Sequence, residues 1–232
     1  MSYLIKLLDG CEFEWQSLDD IATFRRGSFP QPYGKTEWYN GEGAMPFVQV
    51  VDVGKDMRLV QDTKNKISKL AQPKSVFVPK GTVIVTLQGS IGRVAITQYD
   101  SYVDRTLAIF EGFRIEIDKK YFAYQLEEKF RIEKEKARGS TIKTITKEEF
   151  KKFNIPVPPL EIQKEIVRIL DSFTELTAEL TAELTARKHQ YNYYREQLFV
   201  FEESEVKKES FGDIGEFQRG KRFVKTDLIS EG

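Results

Sequence analysis

The sequence predicts an α+β protein in which one mixed α/β domain is followed by a long coiled-coil-forming helix. Three observations lead there. Short apolar or β-branched runs bounded by Gly, Pro and Asp recur through residues 1–158, the pattern of strands joined by tight turns. One charged stretch within that region, "KKYFAYQLEEKFRIEKEKAR", has the length and composition of a helix. From Pro159 onward the apolar residues recur at steps of three and four.

The strand runs are "PFVQVVDVG", "SVFVPKGTVIVTLQGSIGRVAITQ" and "TLAIFEGFRIEID". The helix opens near Asp118, whose carboxylate suits the orphan N–H groups of a first turn, and is predicted to run to Gly139. A short second helix begins at "TKEEF", where Thr146 and Glu149 have capping-box spacing, and the strand-like "FNIPVPP" stops it. Pro159 and Glu161 then suit the start of a long helix, predicted over residues 159–203. Ile162, Ile166, Ile169, Phe173 and Leu176 follow a heptad seam. Leu176, Leu180 and Leu184 are four apart, and Tyr191, Tyr194 and Leu198 return to steps of three and four. The four-residue steps fall on the repeated word T-A-E-L, a stutter that locally unwinds a coiled coil. A helix of this length spans roughly 67 Å at ~1.5 Å per residue. Its apolar stripe calls for a partner helix.

The remainder, residues 204–232, opens with an echo. "LDDIATFRRG" at 18–27 and "FGDIGEFQRG" at 211–220 share Asp20/Asp213, Ile21/Ile214, Phe24/Phe217, Arg26/Arg219 and Gly27/Gly220. This predicts one repeat, a spacer, and the start of a second, incomplete repeat.

Thirty-six basic and thirty-six acidic residues cancel, which argues mildly against a nucleic-acid binder. The distribution is uneven, however. Residues 55–80 carry seven Lys/Arg against Asp56 and Asp62, and residues 160–205 carry ten acidic against five basic residues. Cys11, the one cysteine, has no disulfide partner within the chain, and no Cys/His set has zinc spacing. No apolar run has the length of a membrane span and the start lacks a signal-peptide layout, so a cytoplasmic protein without membrane contact is expected. "GSTIKT" at 139–144 lacks the second glycine of a phosphate loop, and "GSIG" at 89–92 reads as a strand turn. His189, the single histidine, sits in the long helix. No catalytic residues, metal site or cofactor are predicted.

Duplicated globular halves joined by coiled-coil helices are also a family layout. The sequence resembles the specificity (S) subunit of type I restriction–modification systems. The resemblance rests on "LDDIATFRRG", "PKGTVIVTLQGSIGRVAI", "ARGSTIKTITKEEFKKFNIPVPPLEIQKEIVRILDSF" and the T-A-E-L words. It implies that residues 1–158 form a target recognition domain reading one half of a split site in double-stranded DNA. It implies that the helix holds modification (methyltransferase) subunits, with restriction subunits joining the full complex. A complete S subunit is nearly twice as long, so a homodimer paired through the long helix is expected. The T-A-E-L word then acquires a role. Four helical residues advance ~6 Å and turn a net ~40°, against ~3.4 Å and ~35° for one B-DNA step. The resemblance implies that these words set the unread spacer between half-sites, although a T-A-E-L array is also simply good helix.

Side-chain type suggests base-edge contacts at Arg25, Arg26 and Lys35, at Gln88, Ser90 and Arg93, and at Arg105. Lys64, Lys66 and Lys69 read as phosphate contacts. Arg26 has a framework reading too, because it recurs beside Gly as Arg219. Tyr33, Trp38 and Tyr39 suit either base stacking or a lid on the core. The Pro159–Phe173 and "YNYYREQLF" ends of the helix suit either the modification subunit or the partner helix. The competing function is a coiled-coil scaffold whose head binds protein.

Overall fold

The computed structural model describes residues 10–136, 146–201 and 207–220. They divide into two compact units, Met1–Phe173 and Thr174–Gly232.

In the first unit β1 (Glu14–Ser17) pairs antiparallel with β10 (Asn154–Val157), closing the two ends of the domain on each other. Ser17 then caps a single turn, α1 (Leu18–Ile21), by accepting from the Asp20 N–H. An antiparallel sheet has the order β2-β9-β6-β7, from β2 (Ala22–Arg26), β9 (Leu107–Phe113), β6 (Val83–Thr86) and β7 (Val94–Ile96). A second sheet has the order β4-β3-β8-β5, from β4 (Asn65–Ile67), β3 (Met45–Val48), β8 (Ser101–Val103) and β5 (Val76–Val78). In it β3 and β8 run parallel.

Strand periodicity places these sheets in layers. Val83 and Val85 of β6 and Ala108 and Phe110 of β9 join Phe122, Leu126, Phe130 and Phe150 on one face. Ile84, Leu107 and Ile109 point the other way, onto Val48, Val78 and Val103 of the second sheet. Strand β6 and the first half of β9 are therefore buried on both faces, which is why "TVIVT" and "TLAIF" read as continuous apolar runs rather than alternating ones. The second sheet turns Phe47 outward to a third cluster with Phe29, Trp38, Ile67 and Ala71.

Helix α2 (Lys119–Lys136) covers the first sheet. Asp118 caps it through Oδ1, which accepts from the Lys120 and Tyr121 N–H groups at 2.9 and 2.8 Å. The predicted C-terminal end at Gly139 and the "GSTIKT" segment lie outside the described residues. Helix α3 (Lys147–Lys151) has the expected capping box, with Thr146 and Glu149 each accepting from the other's N–H. The Thr146 hydroxyl and then the Thr146 N–H, both donating to Glu149, hold its carboxyl below its usual range.

Helix α4 (Leu160–Leu198) is continuous over 39 residues. The first unit extends onto it as far as Phe173 because Gln163 and Asp171 bind it there. Buried Gln163 accepts from the Asp118 N–H at 2.9 Å and donates to the Pro158 carbonyl at 2.8 Å. Asp171 accepts from Lys120 and Tyr124.

The second copy of the ten-residue word opens on the same helical turn as the first. Ser210 and Asp213 form a capping box around α5 (Phe211–Ile214), matching Ser17, Asp20 and α1. The surroundings differ: Leu18 and Ile21 are fully buried, whereas Phe211 and Ile214 are 78% and 65% exposed. Ala22–Arg26 pairs with β9, while residues 215–220 form no strand among the described residues.

Gly27 explains its own recurrence. A Cβ at Gly27 would fall within the van der Waals radii of the Val103 and Asp104 carbonyl oxygens, so the turn out of β2 admits only glycine. Gly27→Ala is expected to lower stability by more than about 2 kcal/mol in urea unfolding, because backbone rather than a flexible side chain must move. Gln163→Leu strands the Asp118 N–H and the Pro158 carbonyl. It is expected to cost about 2–4 kcal/mol by the same measurement.

Candidate nucleic-acid interface

The aromatic cluster of the second sheet carries most of the predicted cations on its rim. Phe29 packs against Tyr33, Tyr39 and Phe47 with ring centroids 4.9, 5.1 and 4.6 Å apart. Trp38 is buried and donates Nε1–H to the Pro32 carbonyl, and the Tyr39 hydroxyl donates to the Tyr33 carbonyl. Burial raises the Tyr39 phenol. Trp38 and Tyr39 therefore close the core rather than stand free.

Around them, Lys35 and Lys74 lie over the Trp38 ring at 5.3 and 4.8 Å, and Arg105 lies over Tyr33 at 5.2 Å. Lys35 also pairs with Glu37, and Lys66 with Asp62. Lys69 lies beside Gly43. Lys74 has no marker in the sequence beyond its charge. Its place over Trp38 follows from the turn Gln72–Lys74, where Gln72 donates to the Gly43 carbonyl.

Lys64 and Arg105 come together across a cleft of about 440 Å³ lined also by Tyr33, Gln49, Val50, Val51, Asp104 and Thr106. The turn Val50–Asp52 forms one wall. Asp52, 2% exposed, holds it from below: Oδ2 accepts from the Gln49 N–H and Oδ1 from the Lys64 N–H, both at 2.8 Å. Gln49 Oε1 accepts from Asn65 Nδ2 at 2.6 Å. On the far wall Asp104 Oδ1 accepts from the Thr106 N–H and hydroxyl, while its buried Oδ2 has no hydrogen-bond partner.

The loop holding Gln88 and Ser90 meets this cleft. The Leu87 N–H donates to the Thr106 carbonyl, and Gly89 approaches Val50. Buried Thr86 pins the loop, its hydroxyl donating to the Ser90 carbonyl and accepting from the Arg93 N–H. Arg93 leaves this group. Its guanidinium donates to the Val53 carbonyl at 3.3 Å and lines a second groove along α2 with Lys55, Arg131 and Lys134. In that groove burial raises the Glu127 carboxyl, while its hydrogen bond to Arg131 lowers Glu128. Gly92, at φ +75°, abuts Phe130, which leads the chain tightly past α2. Arg25 lies on β2 opposite Ile109 and is 3.8 Å from Glu111, and Arg26 lies opposite Ala108.

The predicted pairing face divides in two. Ile162, Ile166 and Ile169 are half-buried within the first unit. Phe173, Leu176, Leu180, Leu184, Tyr191, Tyr194 and Leu198 are all about half exposed or more. Thr181 and Thr185 of the T-A-E-L words donate to the carbonyls four residues back. His189 lies on the same exposed helix. Among the described residues no helix is long and apolar enough to cross a membrane, and no three His, Cys, Asp or Glu residues form a metal-binding group.

Known proteins share this layout. A specificity subunit from Escherichia coli, that of type I restriction enzyme EcoprrI, is 34% identical over 248 residues, covering 99% of this chain and 61% of its own. The EcoR124I/EcoR124II specificity subunit, also from Escherichia coli, is 36% identical over 231 residues, 95% of this chain and 52% of its own. This chain thus spans about half to three-fifths of those relatives. A structure of a type I R-M system, described for its complex assembly and conformational transition, contains a chain of the same fold. Its TM-score is 0.62 at 23% identity, over 78% of this chain and 43% of that one. The family model for the type I restriction modification DNA specificity domain matches residues 12–187, and the chain belongs to that family.

Proposed function

We propose that this chain is a sequence-reading subunit that binds double-stranded DNA through the cleft between Lys64 and Arg105 and its cationic rim. The carrying observation is the clustering of Lys35, Lys64, Lys66, Lys69, Lys74 and Arg105 around one aromatic cluster and one cleft, despite a net charge of zero. Phosphates favour flexible cations on a rim, and base edges favour fixed polar groups on a wall. The first unit is the target recognition domain in this reading, and residues 207–220 are the opening of a second copy. Catalysis belongs to a modification subunit held on the helix, with restriction subunits joining the larger assembly.

The helix supports self-pairing. Its exposed stripe from Phe173 to Leu198 matches no other apolar face of comparable length among the described residues, and an identical helix about a two-fold axis would cover it. Two half-length chains would then carry two recognition domains, and the domains would read a palindromic split site.

DNA affinity measured against salt tests the head. A steep fall is expected, with a slope of about −0.9 for each phosphate contacted. Replacing Lys64, Lys66 and Lys69 with Ala should flatten the slope by up to about 3. Salt-insensitive or absent binding would favour the protein-binding scaffold instead. Sedimentation tests the helix. Leu180→Asp with Leu184→Asp should halve the mass in solution while leaving the head folded, and an unchanged mass would refute the assigned seam.

A further inference from the structure

We propose that Arg105 is a specificity-determining residue that reads the major-groove edge of a guanine, with Tyr33 as the residue that positions its guanidinium. This rests on the DNA-reading function proposed above and assigns one base to the cleft.

Arg105 stands in the two-residue turn between β8 and β9, and both its neighbours are tied down. The Asp104 N–H donates to the Val48 carbonyl, and the Leu107 N–H donates to the Asp104 carbonyl. Asp104 Oδ1 accepts from the Thr106 N–H and hydroxyl. The Arg105 side chain is exposed on the cleft wall, and its guanidinium lies over the Tyr33 ring at 5.2 Å. That ring is itself seated against Phe29, 4.9 Å away, and the Tyr39 hydroxyl donates to the Tyr33 carbonyl. A cation–π contact occupies none of the five guanidinium N–H donors. None of the five makes a hydrogen bond or ion pair among the described residues. Other arginines of the first unit are committed: Arg25 faces Glu111, Arg93 donates to the Val53 carbonyl, and Arg131 bridges Glu128 and Glu135.

The rest of the cleft is rich in donors. Gln49 Oε1 is engaged by Asn65 Nδ2 and by the Asp52 N–H, which leaves Gln49 its Nε2 protons, and Lys64 adds an ammonium. The one carboxylate among the lining residues, Asp104, has Oδ1 engaged and Oδ2 sealed from solvent. Adenine and cytosine present amino groups in the major groove and need an acceptor, while thymine offers a single acceptor beside a methyl group. Guanine presents N7 and O6, two acceptors side by side, and an arginine fork meets both. An uncommitted fork on a donor-rich wall therefore selects guanine.

The test is selection from a random double-stranded DNA library by the full chain, repeated with Arg105→Ala. The wild type should enrich a motif containing one guanine for which Arg105→Ala loses preference by about tenfold or more. Affinity for sequences with another base at that position should stay close to wild type, whereas a lost phosphate contact would weaken all sequences alike. Substituting 7-deazaguanine there removes the N7 acceptor, and should weaken the wild type while leaving Arg105→Ala unmoved. Tyr33→Leu should lower the same preference and Tyr33→Phe should keep it, a pattern that lost packing alone would not confine to one base. Full preference in folded Tyr33→Leu would overturn the positioning role. Retention of the wild-type motif by folded Arg105→Ala, at equal or uniformly lower affinity, would refute the guanine assignment while the DNA-reading function stands, and so would a wild-type motif without guanine. If the wild type enriches no motif and shows no salt-dependent affinity, that function fails and the assignment with it.

Discussion

The sheet β2-β9-β6-β7 is buried on both faces along β6 and the first half of β9, and covering both sides there organises the first unit. Phe122 and Phe130 of α2, Phe150 of α3 and Phe153 just beyond it pack on one side. The second sheet lies on the other side and turns Phe47 towards a further aromatic cluster. Each fully buried aromatic or aliphatic side chain contributes about 1.5–3 kcal/mol relative to exposure, so these layers dominate the stability of the fold. The outermost cluster is small and lies under surface loops. That position lets the Tyr33, Val50 and Lys64 segments form a cleft on a rigid base.

The second unit obeys the opposite logic. Its helix is continuous, yet its apolar side chains from Phe173 to Leu198 remain exposed. Helical propensity accounts for the local structure of the T-A-E-L words, since Ala, Leu and Glu are strong helix formers. It does not account for a leucine at every fourth position on one slowly drifting stripe. The pairing proposed above would account for it. Phe211, Ile214 and Phe217 are likewise exposed, whereas Leu18 and Ile21 of the first copy are buried.

What the sequence made legible was local. The Thr146–Glu149 box, the Asp118 cap, the long helix and the turn that opens the duplicated word depend on residues within a few positions of each other, and they appear in the structure, although the helix ends at Leu198 rather than at the predicted residue 203. The repeat in residues 211–220 also marked Gly27, but the reason, contact with the Val103 and Asp104 carbonyls, lies far along the chain. The cleft was not legible. It depends on the parallel pairing of β3 with β8, which brings Phe47 and Val48 beside Tyr102 and Val103 and so sets Gln49 near Asp104. Gln49 sits in "PFVQVVDVG", a run that reads only as strand, and no periodicity distinguishes it. Arg93 illustrates the converse: a cation in a promising loop whose guanidinium is turned back to a carbonyl.

The central proposal is that two copies of this chain act together as one DNA-reading unit. Base-resolution mapping of DNA methylation, in cells expressing the chain with its cognate modification subunit, tests it most directly. A methylated, palindromic motif split by an unread spacer is the predicted result. Methylation at an asymmetric site, or none from a folded and expressed chain, would contradict it.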